Sequence, residues 1–380
     1  MKKIFLLTVG LMVLTAGLEA QELNNFSFGR GQRVQSPVIG TDSVTFNFSA
    51  ANATAVTLSG NWAEGRGGAV QMTKNGNVWT AKIPMPEPEI YTYSFIADGI
   101  SLNDPQNVMV QRDGSRYLSM LLIDGERSAN YKEAPQRGTV SHVWYDSGIL
   151  GINRCMTVYL PYGYEDNPDK RYPVLYLLHG AGGDEEAWIS MGRAAQIMDN
   201  LICKGEAVPM IVVIPNGNPG QQAAQTLGLP VKTFERNDPA SANGYVWSLV
   251  TEIVPYIDKH YRTDAKPASR AIAGLSMGGG HTTTAAIMYP GTFDYICPMS
   301  SGLRAYDDID KDLQGIKKAG YKLFFVGCGT ADNLAYASSQ NLDAALTRNG
   351  MEHINCFTPG GHTWSNWRFY LNTIGKLLFK

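Results

Sequence analysis

The sequence predicts an α/β domain with a largely parallel sheet, preceded by a small antiparallel β domain of the immunoglobulin type. Between residues 34 and 124, apolar and polar side chains alternate in short segments separated by turns rich in Gly, Asn and Pro. Such alternation is typical of half-buried antiparallel strands. From residue 138 onward, short apolar runs alternate with segments of helical period. That pattern is typical of strands buried on both faces and joined by helices.

Length and charge limit the possible functions. A chain of 380 residues with 44% hydrophobic and 17% charged side chains is long enough for two domains and can bury sizeable cores. Lys and Arg number 32 against 34 Asp and Glu, which gives a formal charge of −2, and no basic block is present. This composition argues against charge-driven binding to nucleic acid or to an anionic membrane.

The first twenty residues have the pattern of a signal peptide. Lys2 and Lys3 precede an apolar run, and cleavage is expected after Ala20. The run is shorter than the ~20 residues that span a bilayer, and Leu18 stands where a lipoprotein would need a cysteine. We therefore expect a secreted or periplasmic protein without a membrane anchor. The predicted divisions are residues 1–20 (signal peptide), 21–124 (front domain), 125–137 (linker) and 138–380 (second domain).

The five cysteines have no zinc-site spacing, and their odd number leaves at least one thiol free. Each lies in an apolar stretch, so we expect most of them to be buried as small apolar side chains, with one disulfide in an exported protein as the alternative. No metal or cofactor is predicted.

In the front domain, three sets of alternating residues are expected to face one core, and Asp98-Gly99 is expected to form a hairpin turn. The three sets are Val44, Phe46 and Phe48; Trp79, Ala81 and Ile83; and Tyr91, Tyr93 and Phe95. Trp62 lies in a glycine-containing loop outside this alternation. It is a candidate for stacking on a sugar ring, with core packing as the alternative.

The second domain has predicted strands and helices in alternation, and function is expected at the carboxyl ends of the strands. The strands are predicted at 172–179, 210–214, 271–275, 322–326 and 355–357, and the helices at 194–204, 246–260, 279–289 and 335–350. The long segment between residues 216 and 244 has neither period and follows a strand, so we expect it to face the substrate.

A nucleophile motif lies at the junction of one such strand and helix. Residues 274–278 read GLSMG, a G-x-S-x-G pattern that follows an apolar strand and begins a helix. This context is that of a nucleophile elbow, in which a sharp turn exposes the serine hydroxyl. The alternative is a tight turn with an ordinary serine. The sequence therefore predicts Ser276 as a nucleophile.

A serine nucleophile needs a base and an acid. His362 lies in a glycine-rich loop after the last predicted strand, where the chain order Ser, acid, His of this fold places the base. His179 is expected to have a packing role. Asp332 follows a strand directly and is the predicted acid, with the cluster of Asp307, Asp308 and Asp310 as the rival.

An acyl-transfer site also needs donors for the oxyanion. The strand at 172–179 ends in residues 180–183, GAGG, whose backbone is open to close approach. We predict that the backbone N–H groups of Ala181 and Met277 form the oxyanion hole. A phosphate-binding loop is disfavoured because neither G-x-x-x-x-G-K-S/T nor G-x-G-x-x-G is present.

These motifs together resemble the esterase D-like α/β-hydrolases and, more narrowly, the feruloyl esterases of carbohydrate esterase family 1. The motifs are LHGAGG at 178–183 with Glu186 and Trp188, GLSMGG at 274–279, GTAD at 329–332 and GGHTW at 360–364. The front domain resembles the early-set modules, akin to starch-binding family 48, that precede many such esterases. The resemblance implies the triad Ser276, Asp332 and His362, and we expect Trp188, Trp364 and Trp62 to contact substrate.

The same resemblance implies hydrolysis of hydroxycinnamoyl esters on plant arabinoxylan. Acetyl xylan and enterobactin-type siderophore esters are alternatives with nearly the same motifs, as is acyl transfer to a sugar. An inactive carbohydrate-binding protein on the same fold is the alternative from another class. Deletion of residues 21–130 is expected to spare small esters and to lower hydrolysis of insoluble polymer, because a tethered module raises the effective concentration of its substrate.

Overall fold

The structure is a computed structural model, which describes residues 34–63, 68–220, 244–303 and 308–380. The predicted signal peptide, Asp307 and residues 221–243 of the predicted substrate-facing segment lie outside these ranges. Within them, no helix has both the length and the apolar character that a membrane span requires.

The front domain consists of two facing antiparallel sheets. One has the strand order β1-β2-β6-β5, and the other β4-β3-β7-β10-β9, with β8 paired to β7. The strands are β1 Val38–Ile39, β2 Ser43–Ser49, β3 Val56–Gly60, β4 Ala69–Gln71, β5 Thr73–Asn75, β6 Val78–Pro84, β7 Ile90–Ala97, β8 Ile100–Leu102, β9 Val110–Asp113 and β10 Arg116–Leu122.

The alternation seen in the sequence matches the core of this sandwich. Eight of the nine predicted core residues are at most 6% exposed, and Tyr91 is half-buried with its hydroxyl donating to Glu87 O. The turn between β7 and β8 has φ values of 47° at Asp98 and 86° at Gly99. These positive values fit a hairpin turn of the predicted kind. The immunoglobulin-like β domain is confirmed.

The second domain has a single eight-stranded sheet in the order β11-β12-β14-β13-β15-β16-β17-β18. The first two pairings, β11 with β12 and β12 with β14, are antiparallel, and the others are parallel. The strands are β11 Thr139–Ser147, β12 Ile152–Leu160, β13 Val174–Leu178, β14 Ile211–Pro215, β15 Arg270–Leu275, β16 Tyr295–Met299, β17 Leu323–Gly329 and β18 Ile354–Thr358.

Helices join the parallel strands. Apolar clusters on both sheet faces bury all residues of β13 to β16 except Arg270, which is half-buried. The helices are α1 Ala187–Ser190, α2 Ala194–Cys203, α3 Gly244–Ser248, α4 Val254–His260, α5 Met277–Met288, α6 Ile309–Ala319, α7 Tyr336–Arg348 and α8 Trp364–Leu377. A π-helical turn at Leu249–Ile253 joins α3 to α4. The α/β-hydrolase fold predicted from the elbow and the strand–helix alternation is confirmed.

The two domains share part of their core, which the sequence did not predict. Ile90, Met120 and Tyr131 belong to the same buried cluster as residues of α2 and α8. Arg368 of α8 is 2% exposed and donates to Glu89 Oε1 at 3.0 Å and to Ile90 O at 3.0 Å. Removing the front domain would leave this arginine without those partners and uncover the apolar cluster. The interface therefore predicts that a truncated chain also loses activity on small esters, unlike the expectation from the sequence.

Candidate active site

Ser276 lies on a strained turn between β15 and α5. Its φ and ψ are 52° and −117°, and its side chain is partly exposed. A non-glycine residue at positive φ stores backbone strain and is frequent at functional sites. A Cβ on Gly274 would lie 2.3 Å from Gly278 O, and one on Gly278 would lie 2.5 Å from His179 O. Both glycines of the motif are therefore required sterically, as an elbow demands.

Asp332 follows β17 and is buried, at 1% exposure. Its Oδ1 accepts the backbone N–H groups of Leu334 at 3.1 Å and Ala335 at 3.0 Å. Its Oδ2 lies 2.8 Å from Nδ1 of His362 and 3.8 Å from the Cys328 thiol. Because an ionised carboxylate only accepts hydrogen bonds, Nδ1 of a neutral His362 carries the proton and Nε2 is free to act as a base.

His362 lies between β18 and α8 and is held from two sides. Asp332 binds its Nδ1, and the Trp367 ring meets the imidazole edge-on, with ring centroids 4.9 Å apart. The Trp367 indole in turn donates to Ser300 Oγ at 3.0 Å. Ser300 follows β16, so three adjacent strand ends fix the orientation of the base.

The structure contains the predicted contact between Asp332 and His362. Ser276 lies at the same edge of the sheet. Strands β15, β16, β17 and β18 are adjacent and parallel, so Ser276, Asp332 and His362 all follow carboxyl ends of neighbouring strands. Within the described ranges, Ser276 Oγ has no hydrogen bond to His362. Catalytic hydrogen bonds are often long without substrate and shorten when it binds.

The glycine loop (residues 180–183) lies directly against the elbow. A Cβ on Gly180 would be 3.2 Å from the Ser276 Cβ. Ala181 is exposed, and Met277 begins α5, where the first backbone N–H groups have no partner inside the helix. Neither N–H donates to another described residue. Two backbone donors without a described partner thus belong to the segments that adjoin Ser276, which fits the predicted oxyanion hole.

His179 connects this loop to the loop after β14, and its packing role is the expected one. Its Nδ1 donates to Gly180 O at 2.7 Å, and its Nε2 accepts the Gly217 N–H at 2.7 Å. It is 1% exposed, and burial lowers its pKa. The ring therefore stays neutral and is a support for the loop rather than a second base.

Arg154 is a supporting residue that sequence reasoning missed. It is fully buried on β12, and its guanidinium donates to the carbonyls of Asn216, Asn218 and Pro219 and to the Tyr145 hydroxyl. These bonds fix the loop that carries Gly217. A lone arginine within the apolar run of β12 was the available signal, because a buried charge needs several partners.

The three tryptophans predicted to contact substrate differ in their surroundings. Trp188 is 0% exposed, so the expectation that it contacts substrate is wrong. Its indole donates to Leu178 O, just before the glycine loop, and supports that loop from within the core. Trp364 is half-buried at the start of α8, next to His362. Trp62 is half-buried over Gly60, and its ring centroid lies 5.5 Å from that of Phe46. Part of the ring therefore packs against the core of the front domain.

The rival acids that the structure describes lie on the surface, and Cys328 is the cysteine that contacts Asp332. Asp308 precedes α6 and is exposed, and Asp310 pairs with Arg348 at 2.6 Å on the surface. All five cysteines are free thiols, and three of them are buried. Among the described residues, no group of three His, Cys, Asp or Glu side chains is placed to hold a metal ion.

Because of His281 on α5, we expect the folded protein to lose stability in acid. Burial, and to a lesser extent His179, lower its pKa from 6.5 to about 4. Between these values the unfolded chain binds more protons than the folded one, so stability is intact above pH 6.5 and declines as the pH falls. At ~1.4 kcal/mol per pKa unit, the loss in unfolding free energy reaches up to about 3 kcal/mol near pH 4.

Urea unfolding at pH 7 and pH 4.5 measures this loss. The variant His281→Asn should show a smaller difference between the two pH values than the wild type. The exposed His260 supplies the control, because His260→Asn should leave the difference unchanged. Equal pH dependence in the wild type and His281→Asn would contradict the assignment.

Comparisons with known proteins agree with the two-domain fold. The family model described as "Putative esterase" matches residues 147–378, and the model of carbohydrate-binding module 48 matches residues 31–110. An endo-1,4-beta-xylanase/feruloyl esterase of Xylanibacter ruminicola is 32% identical over 83% of this chain. This chain spans 42% of the length of that protein. Endo-1,4-beta-xylanase Y of Acetivibrio thermocellus is 27% identical over 62% of this chain, which spans 23% of that relative.

Solved structures share this fold over part or most of the chain. A ferulic acid esterase is 28% identical, with a TM-score of 0.53, over 64% of this chain and 98% of that one. The enterobactin esterase of Shigella flexneri has a TM-score of 0.64 over 92% of this chain and 95% of that one, at 16% identity, which shows the fold alone. With its elbow serine, its Asp–His pair and a family match over more than half of its length, the chain belongs to the esterase family, whose members are carboxylic ester hydrolases of the α/β-hydrolase fold.

Proposed function

We propose that the protein is an exported serine esterase that releases hydroxycinnamic acids from plant arabinoxylan through an acyl-enzyme on Ser276. The observation that carries the proposal is the Asp332–His362 hydrogen bond of 2.8 Å at the sheet edge where Ser276 occupies its strained turn. The hydroxycinnamoyl substrate is supported by the relatives whose names include feruloyl or ferulic acid esterase.

In the proposed first step, Nε2 of His362 takes the proton of the Ser276 hydroxyl while Oγ attacks the ester carbonyl. The carbonyl oxygen becomes an oxyanion and accepts the N–H groups of Ala181 and Met277. His362 then gives its proton to the departing sugar oxygen, the carbon–oxygen bond breaks, and the acyl group stays on Ser276. Asp332 remains ionised and stabilises the imidazolium throughout.

In the second step, a water molecule replaces the sugar. His362 takes one proton of the water, the resulting hydroxide attacks the acyl carbon, and a second oxyanion forms in the same hole. The Ser276 oxygen leaves and recovers the proton from His362, which releases the free acid. The half-buried Trp364, beside His362, is proposed to contact the aromatic acyl group.

A substrate panel tests the acyl group. With methyl ferulate, p-nitrophenyl acetate, acetylated xylan and a catecholate siderophore ester, we expect the highest kcat/KM for methyl ferulate. A clear preference for acetylated xylan or for the siderophore ester would overturn the hydroxycinnamoyl assignment and keep the esterase. Hydrolysis of none of the esters, together with no labelling by a fluorophosphonate probe, would favour the inactive carbohydrate-binding alternative.

Trp62 is the proposed sugar contact of the front domain, through the part of its ring that the core leaves exposed. Trp62→Ala should lower ferulate release from insoluble arabinoxylan several-fold and leave kcat/KM for methyl ferulate within about twofold, because a small ester does not engage a distant polymer site. Equal losses on both substrates would mean that Trp62 only stabilises the sandwich.

A further inference from the structure

Within the described part of the front domain, one hairpin reaches the glycine loop. We name it the tip hairpin: strands β9 and β10, which are antiparallel, and the turn at residues 114–115 between them. Gly114 has a φ of +58°, and a Cβ placed on it would lie 2.5 Å from the carbonyl oxygen of Gly182. Real Cβ atoms do not approach backbone that closely. The turn of the tip hairpin therefore lies in contact with the loop that carries Ala181.

An ion pair fastens the same two segments together. Arg112 of β9 binds Asp184, the residue after the glycine loop, in a bidentate manner, with distances of 2.5 Å and 2.9 Å. The Asp184 side chain is 2% exposed and that of Arg112 is 20% exposed. The guanidinium also donates to Gly114 O at 2.8 Å. A bidentate pair fixes orientation as well as distance, so the guanidinium links the turn of the hairpin rigidly to the end of the glycine loop.

Neighbouring residues extend this contact to α1. The backbone N–H of Arg112 donates to Ser190 Oγ at 2.5 Å, and the Gln111 amide donates to Ser190 O at 2.8 Å. Gln111 is 1% exposed although it belongs to a strand at the edge of its sheet. The tip hairpin is thus packed against both ends of the segment from Gly182 to Ser190.

The second domain holds the glycine loop from its other side. His179 donates to Gly180 O at 2.7 Å, and the Asn218 amide donates to Gly183 O at 2.7 Å. These bonds fix the two ends of the loop. Gly182, next to Ala181, meets the tip hairpin instead.

We propose that the tip hairpin of the front domain positions the oxyanion loop, so that the front domain is part of the acyl-transfer site. The proposal rests on the proposed function, in which the Ala181 N–H binds the oxyanion. Oxyanion donors act at 2.7–3.1 Å from the developing charge, and loss of one costs about 10²–10³ in kcat. A displaced loop therefore lowers kcat while KM, which reflects binding of the neutral ester, changes little. Gly114 and Arg112 are positioning residues in this scheme.

Two glycine-to-alanine variants of the full-length protein test the proposal. Gly114 and Gly76 both lie in turns of the front domain at nearly equal φ, +58° and +60°, but a Cβ on Gly76 would have no atom within 4 Å. Both substitutions carry the same backbone strain, and only Gly114→Ala collides with the glycine loop. With methyl ferulate we expect Gly114→Ala to lower kcat 10- to 100-fold with KM within about twofold. Gly76→Ala should keep both constants within about twofold of the wild type.

A second readout separates positioning from general damage. Affinity for an arylboronic acid, which forms a tetrahedral adduct with the serine, should fall in Gly114→Ala in parallel with kcat, whereas Gly76→Ala should bind it normally. Equal kcat values in the two variants would overturn the proposal. If the wild type prefers another acyl group, the same comparison is made with p-nitrophenyl acetate, because every ester needs the oxyanion hole. A failed substrate assignment is thereby distinguished from a failed positioning role.

Arg112→Lys provides the test if Gly114→Ala does not fold. Lysine keeps the charge but loses the bidentate geometry, so we expect about a tenfold lower kcat at unchanged KM. The control is Arg116→Lys on the same hairpin. The Arg116 side chain is 73% exposed and pairs with Asp113 on the surface. If the two variants have equal kcat values, the ion pair holds the domains together without positioning the loop, and the proposal is overturned.

Discussion

Replacing Ser276 with alanine is expected to lower kcat about 10⁶-fold, which is the loss measured when the nucleophile of another serine hydrolase is removed. The elbow holds this residue at a φ of 52° beside the glycine loop. Ser300 also has a positive φ, 44°, but it is buried and its hydroxyl accepts the Trp367 indole N–H. Residual turnover should come only from the oxyanion donors and from substrate binding. Initial rates with methyl ferulate, compared with an enzyme blank, measure the effect.

The variant must fold for this result to count. Alanine at the same positive φ carries strain similar to that of serine, so the urea midpoint of Ser276→Ala should lie near that of the wild type. Ser301, which follows the neighbouring strand end and is also partly exposed, supplies the control, and Ser301→Ala should keep most of the activity. A Ser276→Ala enzyme with a tenth of wild-type turnover would refute the nucleophile.

Asp332→Asn is expected to lower kcat about 10⁴-fold, the cost of a wrong histidine tautomer in a serine protease. The amide can still accept the N–H groups of Leu334 and Ala335 through its oxygen. It must then present its NH₂ group to Nδ1 of His362, which forces the histidine proton onto Nε2. A protonated Nε2 cannot accept the serine proton, so acylation slows while binding is unchanged.

Asp308→Asn is the matched control, because this residue was among the rival acids and is exposed ahead of α6. It should keep kcat within about twofold of the wild type. A crippled Asp308→Asn beside an active Asp332→Asn would move the acid to the loop after β16 and contradict the hydrogen bond seen here.

Much of the fold and the triad could be predicted because the determining signals are local. The elbow needs glycines at fixed positions around one serine, and the Asp and His follow single strands in a set chain order. The core of the front domain was predictable for the same reason, since period-two alternation is a property of adjacent residues. Parallel strands such as β13 and β15 are continuous apolar runs that a single sequence displays.

The missed elements lack such local signals. Strand β11 is exposed along much of its length, and Arg154 interrupts the apolar residues of β12, so the two antiparallel strands that begin the sheet were not predicted. Helix α6 was not predicted, although the acidic residues in its first turn suit a helix N-terminus. The burial of Trp188 depends on the packing of α1 against β13, which no spacing in the sequence encodes.

Contacts between the domains were the largest omission. Arg112 and Asp184 are 72 residues apart, and Arg368 and Glu89 are 279 apart. Neither pair is visible in local periodicity. The front domain was therefore interpreted as a tethered module, whereas its hairpin meets the loop that carries a proposed oxyanion donor.

Trapping of the acyl-enzyme tests the central claim most directly. Wild-type protein mixed with excess methyl ferulate, quenched in acid within milliseconds and examined by intact-protein mass spectrometry should gain the mass of one feruloyl group. Peptide mapping should place that group on Ser276, and the Ser276→Ala protein should gain none. An adduct on any other residue, or steady hydrolysis of the ester without an adduct under conditions where deacylation is slow, would contradict a covalent mechanism on Ser276.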